Sequence, residues 1–318
     1  MLSRPVSSRP VEELEPGIRR ATFRLPLGID HVHVYALDSS DGGVTLVDTG
    51  LGSREPEARW RPVLDAIGAP VDRIVVTHLH PDHVGGAADV ATLTGAPVLQ
   101  GREDYAICLR AWGPEWDPER FAAFWRANGM PESEVAGLGG DSARLGEAVH
   151  WQPDPQLLDP GDEVDGWRVE VLRGHADGHI VLVRDDVLIA GDTILDPITP
   201  AIGLYANGRP DPLADYFETL RRIEELNPRI AYSGHGVPIE RPADRARTIA
   251  AHHRERLDRA LASLDGRPVS AYEVAGSLFR PDLPLQQRRF AVAEALAHLV
   301  YLVGEGRAAR ADGGFVAA

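Results

Sequence analysis

One short segment constrains this chain more than any other: Thr77-His78-Leu79-His80-Pro81-Asp82-His83. It continues from an apolar run at residues 73–77 that predicts a buried strand. Two histidines at i and i+2 of an extended turn can both reach one ion, whereas Asp82 and His83 enter a helix and point to a neighbouring position. Zinc and similar ions favour imidazole nitrogens and carboxylate oxygens as ligands. The segment therefore predicts a metal site where a strand ends.

Three more candidate ligands occur later in the chain. His175, Asp192 and His235 each come just after an apolar run that predicts a strand. Because strand ends meet at one edge of a sheet, we expect these residues beside the first cluster. The set is then large enough for two ions, with Asp192 as the bridging carboxylate. Asp48 also follows a predicted strand and is expected to orient a ligand imidazole, and His179 is expected to pack behind the ligands.

The 318 residues fit two domains. Up to about residue 240, short predicted strands alternate with helices. The pattern then changes to three predicted helices, at 243–264, 271–279 and 284–303, and two short strands, at 307–311 and 315–318. Three helices followed by a β-hairpin are the winged-helix arrangement. We therefore expect one domain over residues 1–240 and a winged-helix domain over residues 241–318.

Residues 101–150 form an aromatic-rich insertion in the first domain. They have a helical pattern and hold five aromatic residues close together: Trp112, Trp116, Phe121, Phe124 and Trp125. Two interpretations stay open at this point, a lid whose aromatic walls face a substrate or a helical hairpin with its own core. Cys108 is the single cysteine of the chain, which excludes an intrachain disulfide and a cysteine-based zinc cluster.

These motifs resemble those of the metallo-β-lactamase superfamily, which occur here in the same order between about residues 20 and 240. The resemblance implies an α/β (α+β) fold, the four-layer αββα sandwich. It assigns the metal ligands to two groups that share Asp192, namely His78, His80 and His175 for one ion and Asp82, His83 and His235 for the other. Residues 252–256 and 289–298 resemble the winged-helix domain of the β-lactamase-like protein 2 group.

The resemblance implies a metal-dependent hydrolase with two divalent ions. It would act on a small ester, thioester or lactone through a hydroxide that bridges the ions. Zinc is the favoured metal, with manganese and iron as alternatives. We expect Asp82 to orient the hydroxide or accept its proton, and Tyr205 to donate to the oxyanion or the leaving group.

Three other functions remain open from the sequence. The same site suits a phosphodiesterase or endoribonuclease, which attacks phosphorus. A mononuclear iron enzyme similar to persulfide dioxygenases would use only His78, His175 and Asp192. A metal-binding regulator would use the winged helix to recognise DNA.

The distribution of charged residues indicates which kinds of substrate and partner the chain can bind. Residues 241–318 carry 12 arginines and nine acidic residues, whereas residues 1–240 carry 21 arginines and 39 acidic residues. Residues 1–240 are acidic enough to repel nucleic acid, so we expect a small-molecule substrate and no nucleic-acid partner. The winged helix is expected to serve dimerisation, as in a homodimer, or closure of the pocket. The sequence shows neither a secretory h-region nor a run of about 20 apolar residues, so we expect a cytoplasmic protein without a membrane partner.

Overall fold

The computed structural model describes residues 9–26 and 28–318, except for the side chains of residues 141–144. Its first sheet has seven strands whose spatial order follows the sequence. The first four strands pair antiparallel and the last four pair parallel. The strands are β1 (Val11–Glu15), β2 (Ile18–Arg24), β3 (His31–Asp38), β4 (Val44–Val47), β5 (Val71–Val76), β6 (Val98–Gly101) and β7 (Gln156–Leu158).

The second sheet has five strands in reverse spatial order, with β12 at one edge and β8 at the other. Its outer strand pair, β11 and β12, is parallel, and its other pairs are antiparallel. The strands are β8 (Glu163–Val164), β9 (Trp167–Val171), β10 (Ile180–Arg184), β11 (Val187–Gly191) and β12 (Ile230–Ser233).

Helices cover the outer faces of both sheets. The first seven are α1 (Pro56–Ile67), α2 (Pro81–Val84), α3 (Ala87–Thr94), α4 (Arg102–Ala111), α5 (Pro118–Ala127), α6 (Glu132–Gly146) and α7 (Pro212–Leu226). The C-terminal part adds α8 (Pro242–Ala262), α9 (Ala271–Leu278), α10 (Leu285–Gly304) and a hairpin of β13 (Ala308–Ala311) and β14 (Gly314–Ala317). Within the described ranges, no helix is both long and apolar enough to span a membrane.

Three apolar clusters explain the layering. Side chains alternate between the two faces of a strand, so each sheet supplies two clusters. Tyr35 and Val75 of the first sheet meet Trp167 and Leu182 of the second sheet in the layer between them. The outer face of the first sheet packs with α1 and α3, and that of the second packs with α7, α8 and α10. This is the four-layer αββα sandwich, and the fold-class prediction is confirmed.

The sequence-based prediction differs from the structure at two places. The sequence after the Pro81–Asp82 turn predicts one helix over about residues 85–92. The chain instead forms α2 and α3, separated by Gly85 and Gly86. A Cβ atom on Gly86 would lie 2.7 Å from the carbonyl oxygen of Thr49. The backbone at residue 86 therefore packs against that of Thr49 too closely for any residue with a side chain. The strands β1, β2, β7 and β8 were not predicted. β7 and β8 are only three and two residues long, and both β1 and β2 carry several polar residues.

Among its described side chains, the aromatic insertion has no separate core. Trp125 of α5 is buried in the cluster that covers the second sheet, whereas Tyr105 and Trp112 pack against the cluster that covers the first sheet. The interpretation of a hairpin with its own core is therefore wrong, because the insertion is divided between the two main clusters. The lid interpretation and the domain limits at residue 240 stay predictions.

Candidate metal centre

The seven candidate ligands meet at one edge of the two sheets. His78 lies two residues beyond the end of β5, Asp192 directly follows β11, and His235 lies two residues beyond β12. His175 lies in the loop between β9 and β10. Because β11 and β12 are parallel neighbours, their ends bring residues 192 and 235 together although they are far apart in sequence. The folded chain thus brings together all the residues that the sequence singled out as ligands.

The first group consists of three imidazoles. Nδ1 of His80 lies 2.9 Å from Nε2 of His78 and 2.9 Å from Nε2 of His175. Burial lowers the pKa of all three, that of His78 well below its usual range and that of His80 to about 3. The rings are therefore neutral at neutral pH, which leaves nitrogen lone pairs available to a metal ion.

The second group carries the charge of the site. Nε2 of His235 lies 3.3 Å from Oδ2 of Asp82, and Nε2 of His83 lies 3.9 Å from the same oxygen. Burial opposes ionisation of Asp82, but His83 and His235 outweigh it and hold its pKa at about 2. Burial would also lower the pKa of His235, yet Asp192 and Asp82 raise it to about 10. The carboxylates thus stay ionised and require positive charge beside them.

Asp192 lies between the two groups. Its Oδ1 is 3.5 Å from Nε2 of His83, and its Oδ2 is 3.6 Å from Nε2 of His175 and 3.2 Å from Nε2 of His235. Burial favours the neutral acid, but the neighbouring His235 and His83 keep the pKa of Asp192 well below its usual range. One ionised carboxylate therefore presents an oxygen to each group.

In three of the candidate ligands, the ring nitrogen that faces away from the site, Nδ1, forms a hydrogen bond with another part of the chain. Nδ1 of His83 donates to Oδ2 of Asp48 at 2.8 Å. Nδ1 of His235 donates to the carbonyl of His31 at 2.6 Å, and Nδ1 of His175 donates to the carbonyl of Ala201 at 3.0 Å. Each bond holds its ring so that Nε2 faces the site, where a metal ion can replace the Nε2 proton of His83 and His235.

The residues fit a metal ion on two grounds. Nε2 of His83 and Oδ1 of Asp192 are buried without a hydrogen-bond partner, which is costly for polar atoms unless a ligand completes them. The donor set also has the chemistry of a divalent transition metal. Three sets of ligand atoms converge within 4.8 Å: His78 with His80 and His175, His78 with His83 and Asp192, and Asp82 with His83 and His235.

Two further histidines support the ligands. The ring of His179 is stacked on that of His78, with centroids 4.4 Å apart, and its Nε2 accepts the backbone N–H of Asp192 at 3.0 Å. His33 contacts Thr22 and the carbonyl of Gly236, the residue that follows His235. These contacts stabilise the backbone that carries two of the candidate ligands.

Tyr205 lies on the loop that leaves the site. It is four residues beyond Ala201, and its ring packs against that of Trp125 with centroids 6.3 Å apart. Burial raises the pKa of Tyr205 to about 12, so its hydroxyl remains protonated and can donate. Its predicted role as a donor to the oxyanion or leaving group stays a prediction.

A separate buried group joins α8 and α10. Nδ1 of His253 lies 3.2 Å from Nε2 of His298, whose Nδ1 donates to the carbonyl of Glu294 at 2.7 Å. The Glu294 carboxylate pairs with Arg256. Ligand atoms of His253, Glu294 and His298 lie within 4.8 Å of one another, and Nε2 of His253 is buried without a hydrogen-bond partner. The cluster joins the two helices.

Asp104 is a residue that sequence reasoning missed. It is fully buried at the start of α4, and its Oδ1 accepts the backbone N–H of Leu79, between His78 and His80, at 3.0 Å. Its Oδ2 accepts from Nε2 of Gln100 at 2.6 Å. Asp104 therefore fixes the backbone between the candidate ligands His78 and His80. An isolated acidic residue in a helix gives no sequence signal for such a role.

We expect Asp104→Asn to be more stable than the wild type at pH 8 by roughly 1–3 kcal/mol. Burial raises the pKa of Asp104 to about 7. The native state therefore holds its proton more tightly than the unfolded state does, and stability falls as the pH rises from about 4 to 7. Asparagine cannot ionise and keeps an acceptor for Leu79.

Urea unfolding of both proteins at pH 5 and pH 8 measures this effect. The lower metal affinity at acid pH affects both proteins and cancels in their difference. A stability difference that does not change between the two pH values would contradict the buried, titrating carboxyl.

Sequence comparison places these features among known proteins. Residues 27–235 match the family described as "Metallo-beta-lactamase superfamily", and residues 257–316 match the "Metallo-beta-lactamase-like, C-terminal domain". The probable metallo-hydrolase YqjP of Bacillus subtilis is 26% identical over 88% of this chain and 90% of its own length. A beta-lactamase-like protein 2 homolog of Drosophila melanogaster is 26% identical over 74% of this chain and 69% of its own.

Two other relatives extend the comparison. The atrochrysone carboxyl ACP thioesterase of Aspergillus fumigatus is 25% identical over 61% of this chain and 48% of its own length. A crystal structure of a metallo-beta-lactamase family protein from Thermus thermophilus superposes with a TM-score of 0.85 at 36% identity, covering 96% of this chain and all of that one. The similarity thus extends through the C-terminal helices as well as the two sheets.

Proposed function

The chain belongs to the metallo-beta-lactamase superfamily and is a metallo-hydrolase, and from this premise we propose that it binds two divalent ions, preferably zinc, and hydrolyses a small ester, thioester or lactone. The observation that carries the proposal is the position of Asp192. Its Oδ1 faces His83 of the second group at 3.5 Å, and its Oδ2 lies between the groups, 3.6 Å from Nε2 of His175 and 3.2 Å from Nε2 of His235, so one carboxylate reaches both groups. A site for one ion needs no second, complete group of Asp82, His83 and His235.

In the proposed mechanism, the ions activate the substrate and the water, and Asp82 and Tyr205 assist them. Two bound ions would polarise the substrate carbonyl and lower the pKa of a bound water toward neutrality. Asp82 stays ionised beside His235, so it can orient the attacking water or accept its proton. The hydroxyl of Tyr205 is protonated, and Tyr205 lies four residues after Ala201, whose carbonyl accepts from His175. We assign this hydroxyl as the donor to the oxyanion or the leaving group.

Two considerations favour an acyl substrate over a phosphodiester. The acidic body of the chain repels polyanions, which opposes RNA or DNA as substrate. A relative named as an ACP thioesterase, an enzyme that acts on an acyl compound, is 25% identical over 61% of this chain. A mononuclear iron oxygenase would leave the charged second group without a use.

For the C-terminal part, we propose a winged helix that closes the pocket or joins two copies of the chain, and that binds no nucleic acid. Arg245 of α8 donates to the carbonyls of Leu195, Pro197 and Ile198, and the carbonyl of Ala293 in α10 accepts from Leu204. The C-terminal helices thus hold the loop between Asp192 and Tyr205. The single cysteine, buried Cys108, suits the reducing cytoplasm that we propose as the location.

A substrate panel on metal-defined enzyme tests the function. We expect chelator-treated protein to be inactive, and zinc to restore hydrolysis of at least one N-acetylcysteamine thioester, p-nitrophenyl ester or lactone with kcat/KM above roughly 10⁴ M⁻¹ s⁻¹. Reloading with manganese and iron identifies the metal that works best. If bis-p-nitrophenyl phosphate alone is turned over, the enzyme is a phosphodiesterase and the acyl assignment fails.

A further inference from the structure

The first turns of α10 lie against the loop that leaves the metal centre. The backbone N–H of Leu204 donates to the carbonyl of Ala293 at 3.0 Å. A Cβ atom on Gly203 would lie 2.9 Å from both Cβ of Ala293 and the hydroxyl of Tyr205. The same loop begins at Ala201, whose carbonyl accepts from the candidate ligand His175. One segment of five residues therefore connects a ligand to this helix.

The start of α10 also contacts the opposite side of the site. A Cβ atom on Gly28 would lie 3.1 Å from Nε2 of Gln287, so the helix passes close to the loop between β2 and β3. That loop leads into His31, whose carbonyl accepts from the candidate ligand His235. The first three turns of α10 thus touch loops that reach ligands of both groups, and we take this place as the entrance to the centre.

Arg289 is a cation without a counter-charge at this place. It precedes Ala293 by four residues and shares its helix face, the face that meets the loop of Tyr205. Its guanidinium packs on the ring of Phe290, with 4.7 Å from Cζ to the centroid. Its Nε atom is buried without a hydrogen-bond partner, and no carboxylate among the described residues forms an ion pair with it.

The neighbouring arginines behave differently. Arg288 pairs with Glu134 and also donates to the carbonyl of Leu283, and Arg256 pairs with Glu294. Burial lowers the pKa of Arg289, an effect that the nearby Tyr205 partly opposes, but a guanidinium remains charged at any pH of interest. Other described arginines, such as Arg59 and Arg110, also have buried guanidinium nitrogens without a partner. Arg289 differs from them in its position beside Tyr205, where an anion could meet its charge.

We propose that Arg289 binds an anionic group of the substrate, a carboxylate or a phosphate, at the entrance beside Tyr205. The inference rests on the proposed acyl hydrolysis and specifies its substrate class as an anionic acyl compound. The five residues from Ala201 to Tyr205 span at most about 14 Å between their terminal Cα atoms, which a short acyl or thiol arm can bridge. A guanidinium suits both anions because its paired N–H groups match two oxygens.

Matched thioesters test the inference and separate its two anion sources. Hexanoyl and adipoyl N-acetylcysteamine differ by a terminal carboxylate on the acyl side, and the hexanoyl thioesters of N-acetylcysteamine and 4′-phosphopantetheine differ in the thiol arm that carries the phosphate. We expect the wild type to have at least a tenfold lower KM for one anionic member, and Arg289→Met to abolish that preference while KM for the uncharged thioester changes less than twofold. Arg288→Met is the matched control and should keep the preference.

Binding without turnover separates this inference from the function on which it rests. Calorimetry measures adipate and 4′-phosphopantetheine on wild type and on Arg289→Met, whose melting temperatures are compared to verify folding. If no thioester is hydrolysed, acyl hydrolysis fails, and the calorimetry alone decides the role of Arg289. Binding of either anion that weakens at least tenfold in the variant supports the inference. Equal binding by both proteins, or no binding of either anion, overturns it.

Discussion

Asp192→Ala is expected to hold at most one metal ion per chain, against two in the wild type, and to lose nearly all hydrolytic activity. Asp192 faces His83 with one oxygen and His175 and His235 with the other, so its removal takes a ligand from both groups. The loss in kcat/KM should exceed the roughly 10–100-fold that removal of a residue behind a metal ligand costs. Plasma mass spectrometry of the purified protein measures the metal, and thioester hydrolysis measures the activity.

Three variants control this experiment. Asp192→Asn keeps the shape of the side chain and separates loss of a charged ligand from loss of folding. Asp48→Asn should fall in the roughly 10–100-fold range, because Asp48 orients His83 and accepts from Thr77 beside His78 but is not itself a candidate ligand. Asp177→Asn should keep its metal and activity, because Asp177 accepts from the backbone of Arg209 and asparagine can do the same. Equal damage from Asp177→Asn and Asp192→Ala would disprove the ligand assignment.

Trp125→Ala is expected to lower the free energy of unfolding by about 3–5 kcal/mol. Its side chain is 1% exposed and packs against Phe124 and Tyr205, with ring centroids 5.1 and 6.3 Å apart. Removing the indole leaves a cavity in the cluster that supports the second sheet and the loop of Tyr205. Urea unfolding measures the loss of stability.

Trp116→Ala is the matched variant on the same insertion. Trp116 is 38% exposed, so its removal should change stability by no more than about 0.5 kcal/mol. It packs on Phe121, and the adjacent Arg120 donates to the carbonyl of Ala206 beside Tyr205, which places this turn near the entrance. If the insertion is a lid, Trp116→Ala should raise KM for bulky thioesters and leave small activated esters unchanged. An unchanged ratio of KM values between the two substrate types would exclude the lid.

Much of the metal centre could be predicted from sequence because its chemistry is local. His78, His80, Asp82 and His83 lie within six residues, a density of ligands that few other purposes explain. The later ligands follow short apolar strands. β9, β11 and β12 run in the same direction, so their C-terminal ends share one edge of the second sheet. The two long C-terminal helices were predictable for a similar reason, since α8 and α10 are runs of 21 and 20 residues with no proline after their first residue.

Only the tertiary structure decided which groups support the ligands, and that Arg289 lies beside Tyr205 without a carboxylate partner among the described residues. The partners of His175 and His235 are backbone carbonyls of Ala201 and His31, which have no side-chain signature. Asp104 bonds Leu79 across 25 residues, and the isolation of Arg289 depends on what its neighbours pair with. Such contacts join segments distant in sequence, and which segments meet is fixed by the packing of sheets and helices. A sequence determines the ligands that it carries close together, whereas the environment of each ligand exists only once the chain has folded.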